Sequence, residues 1–181
     1  ALFRSRWADH IYSSRSLDNG RSWSAPTPTA LPNNNSSIQF TQLANGHLAI
    51  VFNDISSAQA TERRLSLYDE IEDDEEHPGA PQAAPAAPSG TARTAFWGTP
   101  RAPMTLAISE DGGRTWPFKR NLEVGDGYCM TNNSELQLNR EYSYPSIKQT
   151  EDGVLHIAYT FYRQKIRYAR VREDWVKGSV A

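Results

Sequence analysis

Cysteine is all but missing from this chain: Cys129 stands alone among 181 residues. That excludes an internal disulfide framework and a cysteine-rich zinc site. Long apolar runs are missing as well. No stretch approaches the roughly 18 apolar residues of a membrane-spanning helix, and mean hydropathy is −0.65, so no membrane span is expected. No charged-then-apolar leader is visible, so the compartment stays open. The chain begins inside an apolar stretch, Ala1-Leu2-Phe3, which raises the expectation that a preceding segment was removed or lies elsewhere. Helical periodicity is scarce, with only Glu173–Lys177 hinting at it. His10, His47, His77 and His156 are scattered without metal-ligand spacing, and no Gly-rich phosphate loop or Ser/His/Asp elbow occurs. Neither a metal nor a cofactor is implied.

Charge is nearly balanced at −2 but unevenly placed. Seven acids (Asp69, Glu70, Glu72, Asp73, Asp74, Glu75, Glu76) form a run without a Lys or Arg. Setting those seven aside from the 21 acids leaves 14 against 19 basic residues. A mildly basic body suits an anionic small ligand and falls short of a nucleic-acid footprint. The acid run leads into an Ala- and Pro-rich stretch, and residues 69–95 together bury too little apolar surface to offset their ordering entropy. They are expected to form a disordered or extended insertion, with an acidic docking segment as the alternative.

Outside the insertion the pattern is one of short β-runs: 1–5, 10–16, 37–43, 47–53, 65–68, 104–109, 146–150, 154–161 and 165–171. Turn residues separate them, and Asn45-Gly46 and Asp152-Gly153 each lie between two runs, the short-range hairpin signature. An antiparallel all-β domain follows. Within it one motif repeats: Ser16-x-Asp18-x-Gly20-x-x-Trp23 and Ser109-x-Asp111-x-Gly113-x-x-Trp116. Asp bonds nearby backbone N–H groups in such a turn, Gly accepts positive φ, and Trp packs beneath. A turn satisfied in this way has little to offer a substrate.

The motif resembles the Asp-box of the sialidase superfamily, whose members are six-bladed β-propellers. The likeness extends to Arg4 before the first box, the segment 31–40, Arg101 before the strand of the second, and Glu141-Tyr142-Ser143 leading onward. Tyr142 to Ile147 and Tyr159 to Arg163 resemble strands of the bacterial BNR-repeat group labelled sialidase-like. The succession is similar to the C-terminal half of such a catalytic domain and spans nearly the whole chain apart from the insertion. Without residues 69–95 about 150 residues remain, which at about 40 to 50 per four-stranded unit makes three blades. The resemblance therefore implies a complementary N-terminal propeller half, or a second chain, as partner.

What the resemblance implies chemically is an exo-acting, retaining glycosidase that removes a terminal sialic acid or related acidic sugar. Guanidinium groups suit the sugar carboxylate because Arg makes paired, charge-assisted hydrogen bonds. Arg4 and Arg101 match two of the family's three arginines; Arg6 is a register alternative to Arg4. A neutral phenol avoids like-charge repulsion with an anionic substrate, and Tyr142 matches the family's tyrosine nucleophile, with Tyr144 its same-face alternative. Asn35, within Asn33-Asn34-Asn35-Ser36-Ser37, is a further candidate for holding the sugar, a polar turn being the plain alternative. Asp54 is read as a strand-end residue. The family's acid/base Asp and activating Glu have no counterpart here. Glu141 is expected to point away from Tyr142 by strand alternation, and Glu135 lies in the polar connection 121–141. The chain would thus be an enzyme only if the other half supplies both carboxylates. The alternative is a non-catalytic propeller acting as a carbohydrate-binding or structural subunit of a larger assembly.

Overall fold

A computed structural model describes residues 1–61, 94–129 and 134–178. The run 65–68 and residues 69–93 of the expected insertion lie outside the described residues. The rest forms three antiparallel sheets. The first has the order β1-β2-β3, from Leu2–Phe3, His10–Ser13 and Thr27–Pro32. The second is four-stranded, β4-β5-β6-β7, from Gln39–Gln42, Leu48–Asn53, Met104–Ser109 and Phe118–Glu123. The third is β8-β9-β10, from Tyr142–Gln149, Leu155–Phe161 and Lys165–Val171. A five-residue helix, α1 (Glu173–Lys177), follows, as the sequence hints.

The second sheet is the middle layer, which its sequence explains. β5 (Leu-Ala-Ile-Val-Phe-Asn) and β6 (Met-Thr-Leu-Ala-Ile-Ser) are continuous rather than alternating, and nearly every residue is buried. Alternate side chains then serve opposite faces. Ala49, Val51, Met104, Leu106 and Ile108 pack with Ile147, Leu155, Ile157 and Tyr159 of the third sheet. Ile50, Phe52 and Ala107 pack with Ile11 and Leu31 of the first. Both expected hairpins form. At Asn45-Gly46, Gly46 takes φ +86° and its N–H bonds the Leu43 carbonyl at 2.9 Å. At Asp152-Gly153, the Gly153 N–H bonds Thr150 at 2.9 Å.

Both repeated motifs close on themselves. Ser16 Oγ accepts from the Gly20 N–H (2.7 Å) and donates to Asp18 (2.8 Å), whose carboxylate takes the Ser22 N–H (2.8 Å) and hydroxyl (2.6 Å). Ser109, Asp111, Gly113 and Thr115 repeat the pattern. These hydrogen bonds favour the ionised acids, bringing Asp18 from 3.8 to about 2 and Asp111 further down. Carboxyl NMR titration is expected to show both midpoints well below 3.8; the stability they add is present above that value and lost as pH falls through the lowered midpoints. Ordinary midpoints would contradict the hydrogen-bonded turns. The tryptophans differ: Trp116 is buried between the first two sheets, whereas Trp23 is 53% exposed, its indole N–H turned back to the Gly20 carbonyl. Both rings lie against the glycine of their own turn, but only Trp116 is also buried in the core.

Candidate functional site

Each sheet carries arginine in a corresponding connection: Arg4 and Arg6 between β1 and β2, Arg101 between β5 and β6, Arg163 between β9 and β10. A buried polar network draws these connections to one end of the sheets. Asn34 Nδ2 donates to the Pro100 carbonyl (2.8 Å), and its Oδ1 accepts from Ser36 Oγ (2.6 Å). Ser36 also bonds Asn53 (2.8 Å), whose amide reaches the Tyr142 carbonyl (3.2 Å). The Asp-box turns and the two hairpins occupy the opposite end.

Arg101 is pinned first through its backbone. Its N–H bonds the Gly127 carbonyl at 2.7 Å and its carbonyl accepts from the Tyr142 N–H at 2.9 Å. A Cβ on Gly127 would stand 2.3 Å from the Ala102 nitrogen, so only glycine allows this approach. The guanidinium is then held from below by Glu141, which has no exposed surface. Glu141 Oε1 accepts from Arg163 Nε (2.7 Å), Ser143 Oγ (2.8 Å) and Arg101 Nη1 (3.5 Å), and Ser143 Oγ in turn accepts from Arg101 (3.2 Å). Burial by itself pushes the Glu141 carboxyl up. The charge of Arg101, the bond and charge of Arg163, and the Cys129 thiol overcome it and hold the group below its ordinary 4.5. Both guanidiniums keep about a quarter of their side-chain surface exposed. Alternation along the strand holds here, but it is Glu141 and Ser143 that face Arg101, so Glu141 does not point away from this site.

Tyr142 consequently faces the other side. Its ring lies in the core, its hydroxyl donates to the Val124 carbonyl at 2.9 Å and lies 3.3 Å from the Tyr162 hydroxyl. Burial first, then the Tyr162 hydroxyl and the nearby Glu123 charge, push its phenol well above 10. Tyr142, the expected nucleophile, is thus a core phenol on the far face of β8, and the structure does not bring it together with Arg101. Tyr144 is the phenol beside Arg101, with the guanidinium 5.7 Å from its ring centroid. It is 59% exposed. The expected shared face with Tyr142 fails because the β8–β9 register breaks between Ser143 and Ser146 and Tyr144 takes φ +52°.

The remaining candidates separate. Arg4 is exposed and its Nη1 lies 3.5 Å from the Asn35 carbonyl. Arg6 is exposed too, but β1 ends at Phe3, so strand alternation does not relate it to Arg4. Asn35, the candidate for holding the sugar, has its amide committed to the backbone. It is buried at φ +60°, and its amide donates to the Phe96 (3.0 Å) and Arg6 (3.4 Å) carbonyls. Asp54 pairs with Lys119 at 3.0 Å, and Glu135 lies exposed on a short 3-10 turn. His47, Glu110 and Glu173 approach one another, but Lys177 bonds both carboxylates, so an ammonium supplies the cation there. Sequence reasoning missed Arg163 and the role of Glu141. The signal for Arg163 was its place after β9, matching that of Arg4 after β1.

Residues 1–157 match the BNR repeat-like domain. The chain belongs to that family. Its two self-closed Asp-boxes are the sialidase-type repeat, which puts this BNR repeat-like domain in the sialidase-like superfamily. No curated protein matches the chain. Among the described residues of the BNR repeat-like domain, no helix is long and apolar enough to cross a membrane.

Proposed function

We propose that the three sheets are neighbouring blades of a six-bladed sialidase-type propeller, that residues 1–181 are its C-terminal half with 69–95 as an insertion, and that the arginine-bearing end binds the carboxylate of a terminal sialic acid or related acidic sugar. The observation that carries the reading is Arg101: backbone pinned, guanidinium braced by a buried carboxylate and a hydroxyl, open side beside an exposed phenol. Such preorganisation suits paired, charge-assisted bonds to a carboxylate. Arg4, at the Asn35 carbonyl, is the second clamp. The open edges of β1 and β10 among the described residues are where strands of a complementary half, or of a second chain, would add.

In the full propeller the activity is exo-acting, retaining glycoside hydrolysis, with Tyr144 as the nucleophilic phenol. A neutral phenol approaches the anionic sugar without repulsion, and its proton leaves to a carboxylate as attack proceeds. That base and the acid/base Asp come from the complementary half. One observation favours a second reading, a carbohydrate-binding or structural subunit: no carboxylate among the described residues bonds the Tyr144 hydroxyl.

The test uses the full-length protein. Arg101→Ala is expected to weaken calorimetric binding of N-acetylneuraminic acid by at least about 2 kcal/mol, roughly thirtyfold, as when a charge-assisted pair is broken. Unchanged affinity would reject the clamp. Turnover of a fluorogenic sialoside by the unmodified protein decides between hydrolase and binding module.

A further inference from the structure

The sheets repeat closely enough to be compared position by position. Arg15, one residue before the first Asp-box, corresponds to Ile108, one residue before the second. The Leu43 N–H bonds the His47 carbonyl as the Thr150 N–H bonds that of Val154, so the two hairpins align and Ala49 corresponds to His156. Ala49 lies opposite Ile108 and His156 opposite Arg170, which makes Arg170 the counterpart of both Ile108 and Arg15. Each of the earlier two serves the joint with the following sheet. Arg15 Nη2 donates to the Gly112 carbonyl, in the Asp-box turn of the second sheet, at 2.6 Å. Ile108 is buried in the core shared with the third sheet. Arg170 is exposed, and no group among the described residues accepts from it. Ile166 and Tyr168 on the same face are 67% and 56% exposed, whereas their counterparts Met104 and Leu106 have no exposed surface.

We infer that the outer face of the third sheet docks a further sheet of this repeat, belonging to the complementary half, and that Arg170 donates to a backbone carbonyl of that sheet's Asp-box turn as Arg15 does to Gly112. The inference rests on the complementary half proposed above and names the surface that meets it. An Asp-box turn suits the guanidinium because it spends its N–H groups internally. In the second box those of Gly113, Arg114 and Thr115 go to the Ser109 and Asp111 side chains, which leaves the Gly112 carbonyl to an outside donor. Ile166 and Tyr168 supply the apolar part of the joint. A wholly apolar cover, of the kind that Ile108 takes, would bury the Arg170 charge without an acceptor.

Photo-crosslinking in the full-length protein tests the surface, with p-benzoylphenylalanine replacing Arg170, Arg15 or Phe3 one at a time. Position 15 is the reference and is expected to label residues 110–115. Position 170 is expected to label an Asp-box turn outside residues 1–181. Labelling from position 170 that stays within residues 1–181, of its own chain or of a second copy, overturns the inference, and so does no labelling. Phe3 is exposed and alternates with the inward Leu2, so it probes the outer face of the first sheet. Labelling outside residues 1–181 from position 3 alone leaves the complementary half standing and removes only this surface; silence at both positions removes the half as well. Melting temperatures give a second measurement without a probe. Arg170→Ala is expected to lower the Tm of the full-length protein by at least about 3 °C, close to the effect of Arg15→Ala, as for a lost hydrogen bond from a charged group. A solvated arginine would leave the Tm unchanged, and that result overturns the inference.

Discussion

Glu141→Leu is expected to destabilise the fold by about 2–4 kcal/mol in urea melts at pH 7. Removing one partner of a buried ion pair generally costs about 3–5 kcal/mol, because the charge left behind is uncompensated. Here the surviving guanidiniums of Arg101 and Arg163 are partly exposed and can turn toward water, which lowers the figure. Leucine also leaves Ser143 Oγ without its acceptor. The pH dependence identifies the cause. Glu141 is held below 4.5, so its contribution is whole above that value and fades as pH falls through the lowered midpoint. The gap between wild type and Glu141→Leu must therefore be widest near neutrality and shrink in acid. A gap independent of pH would mean that leucine costs packing alone, and the carboxylate would lose its role as the brace of Arg101.

The second large effect concerns two tyrosines two positions apart. Under the hydrolase reading, Tyr144→Phe in the full-length protein abolishes sialoside turnover and leaves acid binding within a few-fold. Tyr142→Phe does the reverse: turnover stays, and stability drops by about 1 kcal/mol for the lost bond to the Val124 carbonyl. The strand match on the Tyr-Ser pair alone favours the opposite outcome, since it assigns the nucleophile to Tyr142. An inactive Tyr142→Phe beside an active Tyr144→Phe would restore that assignment and would require the core around Tyr142 to open during catalysis.

How far the sequence carried can be followed residue by residue. The two Asp-boxes were legible because their hydrogen bonds are local: the motif contains both donors and acceptors. Strands β5 and β6 were legible because burial on both faces makes them continuous apolar runs. Strands β3 and β7 were not seen. β3 holds Pro28 and Pro32, and β7 reads Phe-Lys-Arg-Asn-Leu-Glu. Each is an edge strand of its sheet, where proline and charge are tolerated, so only Leu31 in β3 and Phe118 and Leu122 in β7 mark the face packed on the core. At the site, alternation separated Glu141 from Tyr142 correctly, but which of them meets Arg101 depends on how the third sheet lies against the second, a long-range fact. Tyr144 escaped for a different reason. A break in register and a left-handed residue leave no mark in a pattern of apolar and polar letters. Asn35 looked like a ligand because an amide suits a sugar as well as it suits two backbone carbonyls.

The turn at Tyr162–Arg163 sets two local demands against each other. Both residues hold left-handed backbone, which a glycine at position 163 would relax and an asparagine at 162 nearly as well. The same exchange would take away the bond from Arg163 Nε to the buried Glu141 carboxylate, so ease of the backbone in this turn and charge balance beneath it cannot both be improved by one change.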